Sequence, residues 1–172
     1  NSRNVCAQFR DEINRIFQKT GLLYSLKADL RVERIVENSP LTPEVEATIA
    51  TVKEPGTLEL LQEAILLHKS PYPADIRDAT EKIWDAFERL KTYYTALNKR
   101  DSAAKIVNDM SGGQDDYITL FDTEFTALTK LGNNFRIRHH ETDKIEITDI
   151  RYYDYFFNRC LSLIALAIQY LQ

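Results

Sequence analysis

Apolar residues recur at Val5, Phe9, Ile13, Ile16 and Phe17, in steps of three and four that predict one face of a helix. Lys19-Thr20-Gly21 then supplies a cation for the last turn and a glycine stop. The period changes at this point. Leu22 to Leu26 and Leu30 to Ile35 alternate apolar and polar residues on either side of Lys27-Ala28-Asp29, which predicts a short β-hairpin. Ser39-Pro40-Leu41-Thr42-Pro43 interrupts any regular element, because neither proline can donate a backbone hydrogen bond and each restricts the residue before it. That stretch reads as a linker, with a short helix following from Glu44.

Farther along, helical spacing takes over. A helix beginning near Thr57 carries Leu58, Leu61, Ile65 and Leu66 on one face and is stopped by Pro71 and Pro73. The strongest periodicity covers Ala74 to Leu97, through Ile76, Ala79, Ile83, Trp84, Phe87, Leu90 and Tyr94. A shorter helix around Ser102 to Val107 leads to a break at Ser111-Gly112-Gly113. Asp115 or Asp116 then caps a helix that carries Tyr117, Leu120, Phe121, Phe125, Leu128 and Leu131 and runs into Gly132. Beyond a polar, basic loop over 133–144, Thr148 or Asp149 caps a last helix to Leu171, apolar almost all round its second half. A helix of that kind sits at the centre of a bundle. These elements predict an all-α fold, an antiparallel helical bundle with a small N-terminal helix and β-hairpin. Residues 1–56 are read as an N-terminal helix, hairpin and linker subdomain, and residues 57–172 as the bundle.

Composition narrows the class. The chain has 172 residues, 44% hydrophobic and 28% charged, which suits one folded core rather than a disordered segment. A net charge of −4 excludes binding to duplex DNA by overall charge, so any nucleic-acid contact must be local. The two cysteines, Cys6 and Cys160, lie among apolar neighbours in predicted helices and read as inert buried thiols, not a disulfide scaffold. The polar start Asn1-Ser2-Arg3-Asn4 is not a signal peptide, and a first residue other than Met leaves room for a domain upstream. The apolar run from Cys160 to Leu171 is shorter than the ~20 residues that span a bilayer, so no membrane association and a cytoplasmic location are expected.

One window concentrates chemistry. Arg136, Arg138, His139, His140 and Glu141 lie within six residues at the turn between the last two long helices. Histidine exchanges a proton near neutrality and arginine presents a permanent planar fork to phosphate oxygens. Metal-free RNA cleavage needs both: a 2'-hydroxyl loses a proton, the leaving oxygen gains one, and charge on the phosphate rises in between. The same residue types also describe a solvated turn with a surface salt bridge. Adjacent His139 and His140 cannot both face one ion in regular structure, and no HExxH spacing, glycine-rich phosphate loop or nucleophile elbow occurs, so neither metal nor cofactor is expected. Trp84 and Phe87 read as core, Glu88, Arg89 and Lys91 as exposed charge, and His68 as a cation on a helix C-terminus. Tyr152, Tyr153, Tyr155, Phe156 and Phe157 exceed what one neighbouring helix can cover, which suggests a dimer interface.

The run Leu131-Gly132-Asn133-Asn134-Phe135-Arg136-Ile137-Arg138-His139-His140-Glu141, preceded by Ile83-Trp84-Asp85-Ala86-Phe87-Glu88-Arg89-Leu90-Lys91-Thr92, resembles the C-terminal domain of bacterial abortive-infection-type proteins of the HEPN superfamily. The likeness covers roughly residues 59–171. It implies a helical bundle that dimerises and acts as a metal-independent endoribonuclease in a phage-defence or toxin–antitoxin system. On that reading His139 or His140 is the general acid/base, Arg136 and Arg138 hold phosphate, and Asn134 and Glu141 orient the RNA. The superfamily pattern is an arginine followed, after a gap of four to six residues, by a histidine. Here the position separated from His139 by four intervening residues is Asn134 and that from His140 is Phe135, while Arg136 is closer. The alternative is therefore a catalytically degenerate dimerisation module whose loop binds RNA or a partner.

Overall fold

The computed structural model describes residues 2–171 and is mostly helical. Helix α1 (Ser2–Thr20) leads into the antiparallel strands β1 (Tyr24–Leu26) and β2 (Val32–Arg34), which pair Ser25 with Glu33. Helices α2 (Pro43–Ile49), α3 (Pro55–His68), α4 (Pro73–Leu90), α5 (Lys99–Ser111), α6 (Asp115–Asn134) and α7 (Ile150–Ile168) follow. The expected helical bundle with a small hairpin is thus what the chain forms.

The core lies in the bundle. Helix α4 packs on α3 and α7, and Leu61, Ala79, Ile83, Phe87, Phe157, Leu161 and Ile164 are removed from solvent. Burying a side chain of this size stabilises the fold by ~1.5–3 kcal/mol, so the α3–α4–α7 seam dominates. Helix α2 joins it, since Ile49 is buried and α2 packs on α7. Helix α1 contacts mainly β1, and its apolar face, Val5, Phe9 and Ile16, stays open to solvent. Phe17 meets Tyr24 edge-on, and Asn14 holds the hairpin by exchanging hydrogen bonds with the Leu26 backbone.

Three prolines open helices instead of closing them. Pro43, Pro55 and Pro73 each occupy the first turn of α2, α3 and α4, where the missing N–H has no intrahelical acceptor to lose. The linker therefore ends before Pro43, and α3 starts two residues before Thr57. Helix α4 stops at Leu90, short of the expected Leu97. The reason is competition: Tyr94 donates its backbone N–H to Ser102 Oγ at 3.0 Å and its hydroxyl to Asp109, both on α5, while Thr92 Oγ1 bonds back to the Arg89 carbonyl. Helix α6 is capped at Gln114, with Asp115 and Asp116 in its first turn, and α7 at Asp149, which accepts from the Arg151 N–H at 2.9 Å.

Gly132 does not end α6. The helix runs on to Asn134, and a β-carbon at residue 132 would fall inside the Trp84 indole. Glycine here permits close approach of two helices. Lys91, expected among exposed charges, is buried beside Phe87 and pairs with Glu88, while its Nζ donates to Thr129 Oγ1 at 2.9 Å. Cys160 is buried, and burial pushes its thiol up to about 12. Cys6 is exposed, contrary to the expectation of a buried thiol, because α1 packs mainly on β1 and leaves its outer face open. Among the described residues no helix is long and apolar enough to cross a membrane.

Candidate functional site

The segment after α6 is tied to the bundle at several points. Phe135 caps α6 and forms a parallel bridge with Ile145, through Arg136 N–H to the Ile145 carbonyl at 2.8 Å and Ile145 N–H to the Asn134 carbonyl at 3.0 Å. Ile137 is only 2% exposed and inserts into the core, while Phe135 packs against Phe156 of α7. Lys144 donates to the Gly132 carbonyl at 3.3 Å, a cation on the negative end of α6. Alternation now does what helix periodicity did before: with Ile137 directed inward, its neighbours Arg136 and Arg138 are directed outward on either side of it.

Helix α4 receives them. Asp78, Glu81 and Asp85 recur along it at steps of three and four, an acidic stripe facing the loop. Arg138 pairs with Asp85, lies 3.8 Å from Glu141, and stacks its guanidinium 4.8 Å from the Trp84 ring centroid. Burial opposes the Arg138 charge, but the bond to Asp85 overcomes it and holds the guanidinium more firmly protonated than usual. His139 Nε2 meets Asp78 Oδ1 at 2.6 Å. Glu141 pairs with Lys144 at 2.8 Å. Arg138, His139 and Glu141 are thus engaged by the protein itself.

The remaining candidates differ. Arg136 directs Nε and Nη2 to the His139 carbonyl at 3.2 and 2.9 Å, a contact to backbone that leaves its charge without a carboxylate partner among the described residues. Arg77 of α4 places its guanidinium 5.9 Å from the Tyr153 ring centroid. Burial raises the Tyr153 phenol pKa, the charges of Arg77 and Arg136 act to lower it, and that of Glu146 acts to raise it. His140 is exposed and makes no side-chain hydrogen bond among the described residues, and Asn134, the last residue of α6, is exposed. Tyr152 is exposed while Tyr153 and Phe157 are buried.

The cluster therefore does not converge on one point. One side is a clasp, Arg138–Asp85 with His139–Asp78, joining the loop to α4. The other is Arg136, held to the His139 carbonyl and without a carboxylate partner among the described residues. Sequence reasoning missed Arg77, Asp78 and Asp85, although the acidic spacing on α4 was a readable signal. Among the described residues no three His, Cys, Asp or Glu side chains gather as a ligand set for a metal.

A second polar cluster lies where β2 and α3 meet α7. His68, expected as a solvated cation, is buried and stacks on Phe157 with centroids 3.7 Å apart. Its Nε2 lies 3.2 Å from Asp154 Oδ1, and burial, outweighing the raising effect of Asp154, pulls the imidazole below its ordinary value. Arg34 of β2 bonds Asp154 at 2.9 Å and the His68 carbonyl at 2.9 Å. Burial works against the Asp154 carboxylate, but His68 and Arg34 hold it down at about 2. This triad latches the hairpin to α3 and α7.

Compared with family models, curated proteins and solved structures, the chain matches none.

Proposed function

We propose that the chain is a HEPN-like helical module that engages the phosphate backbone of RNA at the loop carrying Arg136, without turnover. The observation that carries this reading is the pairing of charges: Arg138 is neutralised by Asp85, whereas Arg136 and Arg77 have no carboxylate partner among the described residues, and Arg77 lies over the Tyr153 ring. Unpaired guanidinium groups are suited to phosphate oxygens, and exposed Tyr152 offers a ring on which a base can stack. The net charge of −4 keeps such contact local. Absence of turnover follows from two further facts. One proposed phosphate ligand is held by an acid, and the positions five to seven residues after Arg136 and Arg138 run Glu141, Thr142, Asp143, Lys144 and Ile145, with no histidine.

A single-stranded RNA titrated against wild type, Arg136→Ala and Arg77→Ala tests this. Each variant is expected to bind more weakly by about tenfold, the effect of ~1.4 kcal/mol. Unchanged binding in both overturns the reading.

The His139–Asp78 contact favours a second reading, a metal-independent endoribonuclease of a defence or toxin system. Asp78 orients the imidazole, His139 or His140 takes the 2'-hydroxyl proton, the resulting oxygen bonds to phosphorus as the P–O5' bond breaks, and the protonated histidine passes its proton to the leaving 5'-oxygen. Arg136 offsets the phosphate charge, with Asn134 and Glu141 as orienting groups. Incubation with RNA in EDTA decides it: a 2',3'-cyclic phosphate end produced by wild type and not by His139→Ala/His140→Ala establishes cleavage. The same surface suits a homodimer, since Ile150, Tyr152 and Tyr155 stay at least one-third exposed beside the loop, and sedimentation of a Tyr152→Glu/Tyr155→Glu variant tests it.

A further inference from the structure

A cavity of about 590 Å³ opens between the turn joining α2 to α3, the end of α4 and the end of α7. It is remote in the chain from the 134–141 loop and shares no residue with it. Its inner wall is apolar: Val52, Leu90, Ile168 and Leu171. Its size falls within the range of sites that enclose a small organic molecule.

The polar groups at its rim define the ligand. Glu54 is saturated, accepting Gly56 N–H at 3.1 Å, Thr57 N–H at 2.7 Å, Thr57 Oγ1 at 2.6 Å and the Arg89 Nε and Nη2 donors at 2.7 and 2.8 Å. A β-carbon at residue 56 would lie 2.5 Å from the Arg89 guanidinium carbon, so the guanidinium sits directly over Gly56. Arg89 is thereby fixed over the start of α3 with Nη1 left over.

Two helix ends border the cavity, and their carbonyls would attract a cation if free. They are not free. Thr92 and Tyr93 N–H groups bond to the Arg89 and Leu90 carbonyls, Gln169, Tyr170 and Leu171 N–H groups to Leu166, Ala167 and Ile168, and the Tyr93 hydroxyl to Leu171. The hydroxyls of Thr51, Thr57 and Thr92 likewise donate inward. Among the charged groups that line the cavity, Glu54 is engaged by Arg89 and the start of α3, which leaves Arg89 Nη1 and Lys53, the latter in no ion pair among the described residues.

We propose that this cavity binds an amphiphilic monoanion, an apolar chain or ring system carrying one carboxylate. The apolar body lies against Val52, Leu90 and Ile168, and the carboxylate meets Lys53 and Arg89 at the rim. An ammonium head of equal size meets the same two cations and is repelled by Lys53.

Calorimetric titration of the full chain with decanoate, decylammonium and decanol, each below its aggregation concentration, tests the proposal. Decanoate is expected to bind saturably and at least about tenfold more tightly than decylammonium, with Lys53→Glu weakening decanoate by about tenfold. Val52→Trp is expected to abolish binding by filling the cavity. Thr95→Trp, at an exposed lining position, serves the same purpose should Val52→Trp fail to give the wild-type helical circular dichroism. No saturable decanoate binding to wild type, equal binding of carboxylate and ammonium, or undiminished binding in a folded cavity-filling variant each overturns it.

Discussion

The Trp84 indole occupies the space that a β-carbon on Gly132 would need. Alanine is the better helix former by ~1 kcal/mol, but overpacking a core costs up to about 3 kcal/mol, and a β-carbon inside a buried indole lies at the upper end. Gly132→Ala is therefore expected to destabilise the protein by ~2 kcal/mol in urea unfolding. A stabilised variant would show that α4 and α6 are not held at this distance by glycine.

The clasp between loop and helix makes a different prediction. Arg138 and Asp85 are each about 30% exposed at the side chain, so the pair is partly screened and its loss should cost ~1 kcal/mol, aided by the Trp84 stack. Arg138→Ala is expected to lower stability by that amount in urea, and Arg136→Ala by less than ~0.5 kcal/mol, because Arg136 touches only a carbonyl of its own loop. Equal losses would place Arg136 in the structural clasp.

Acid should weaken the fold through the buried triad. His68 has a folded pKa below its ordinary value, so the unfolded chain takes up the proton first. Stability is then fully present above about pH 6.5 and declines as pH falls below it. Asp154, held at about 2, contributes stability above its unfolded value near 4 that is lost as pH falls toward 2. Urea midpoints between pH 7.5 and 5 are expected to slope downward in wild type and to flatten in His68→Gln. A slope unchanged by the substitution would contradict this assignment.

Thiol reactivity separates the two cysteines. Cys6 is exposed and should react with a disulfide reagent in the native protein within minutes. Cys160, buried with its pKa pushed up to about 12, should react only after denaturation. Two reactive thiols in the native state would mean that α7 is not shielded as described.

Much of the fold was legible because helical periodicity survives in the sequence wherever a face is buried: Ile76, Ile83, Phe87 and Leu90 mark the inner face of α4. The hairpin announced itself by its change of period. Boundaries were less legible, since Pro43, Pro55 and Pro73 can start a helix as readily as stop one, and Tyr94 leaves α4 only because Ser102 and Asp109 bind it from another helix. The Arg/His cluster was visible, but its partners were not. Asp78 and Asp85 have the ordinary look of solvated helix charges, and only the fold of the 135–149 segment, pinned by Ile137 and Ile145, brings Arg138 and His139 onto them. His68 was misread for the same reason, because a residue at a helix end is solvated unless another element, here β2 with Arg34 and α7 with Phe157, covers it.

The most direct test of RNA contact at Arg136 is the salt dependence of single-stranded RNA binding in wild type and in Arg77→Ala/Arg136→Ala. For single strands the slope of log K against log salt is about −0.7 per phosphate neutralised, so loss of two contacts is expected to make the slope shallower by about 1.4 while weakening binding. An identical slope and affinity in the double variant would contradict the account and remove this loop from the RNA-binding surface.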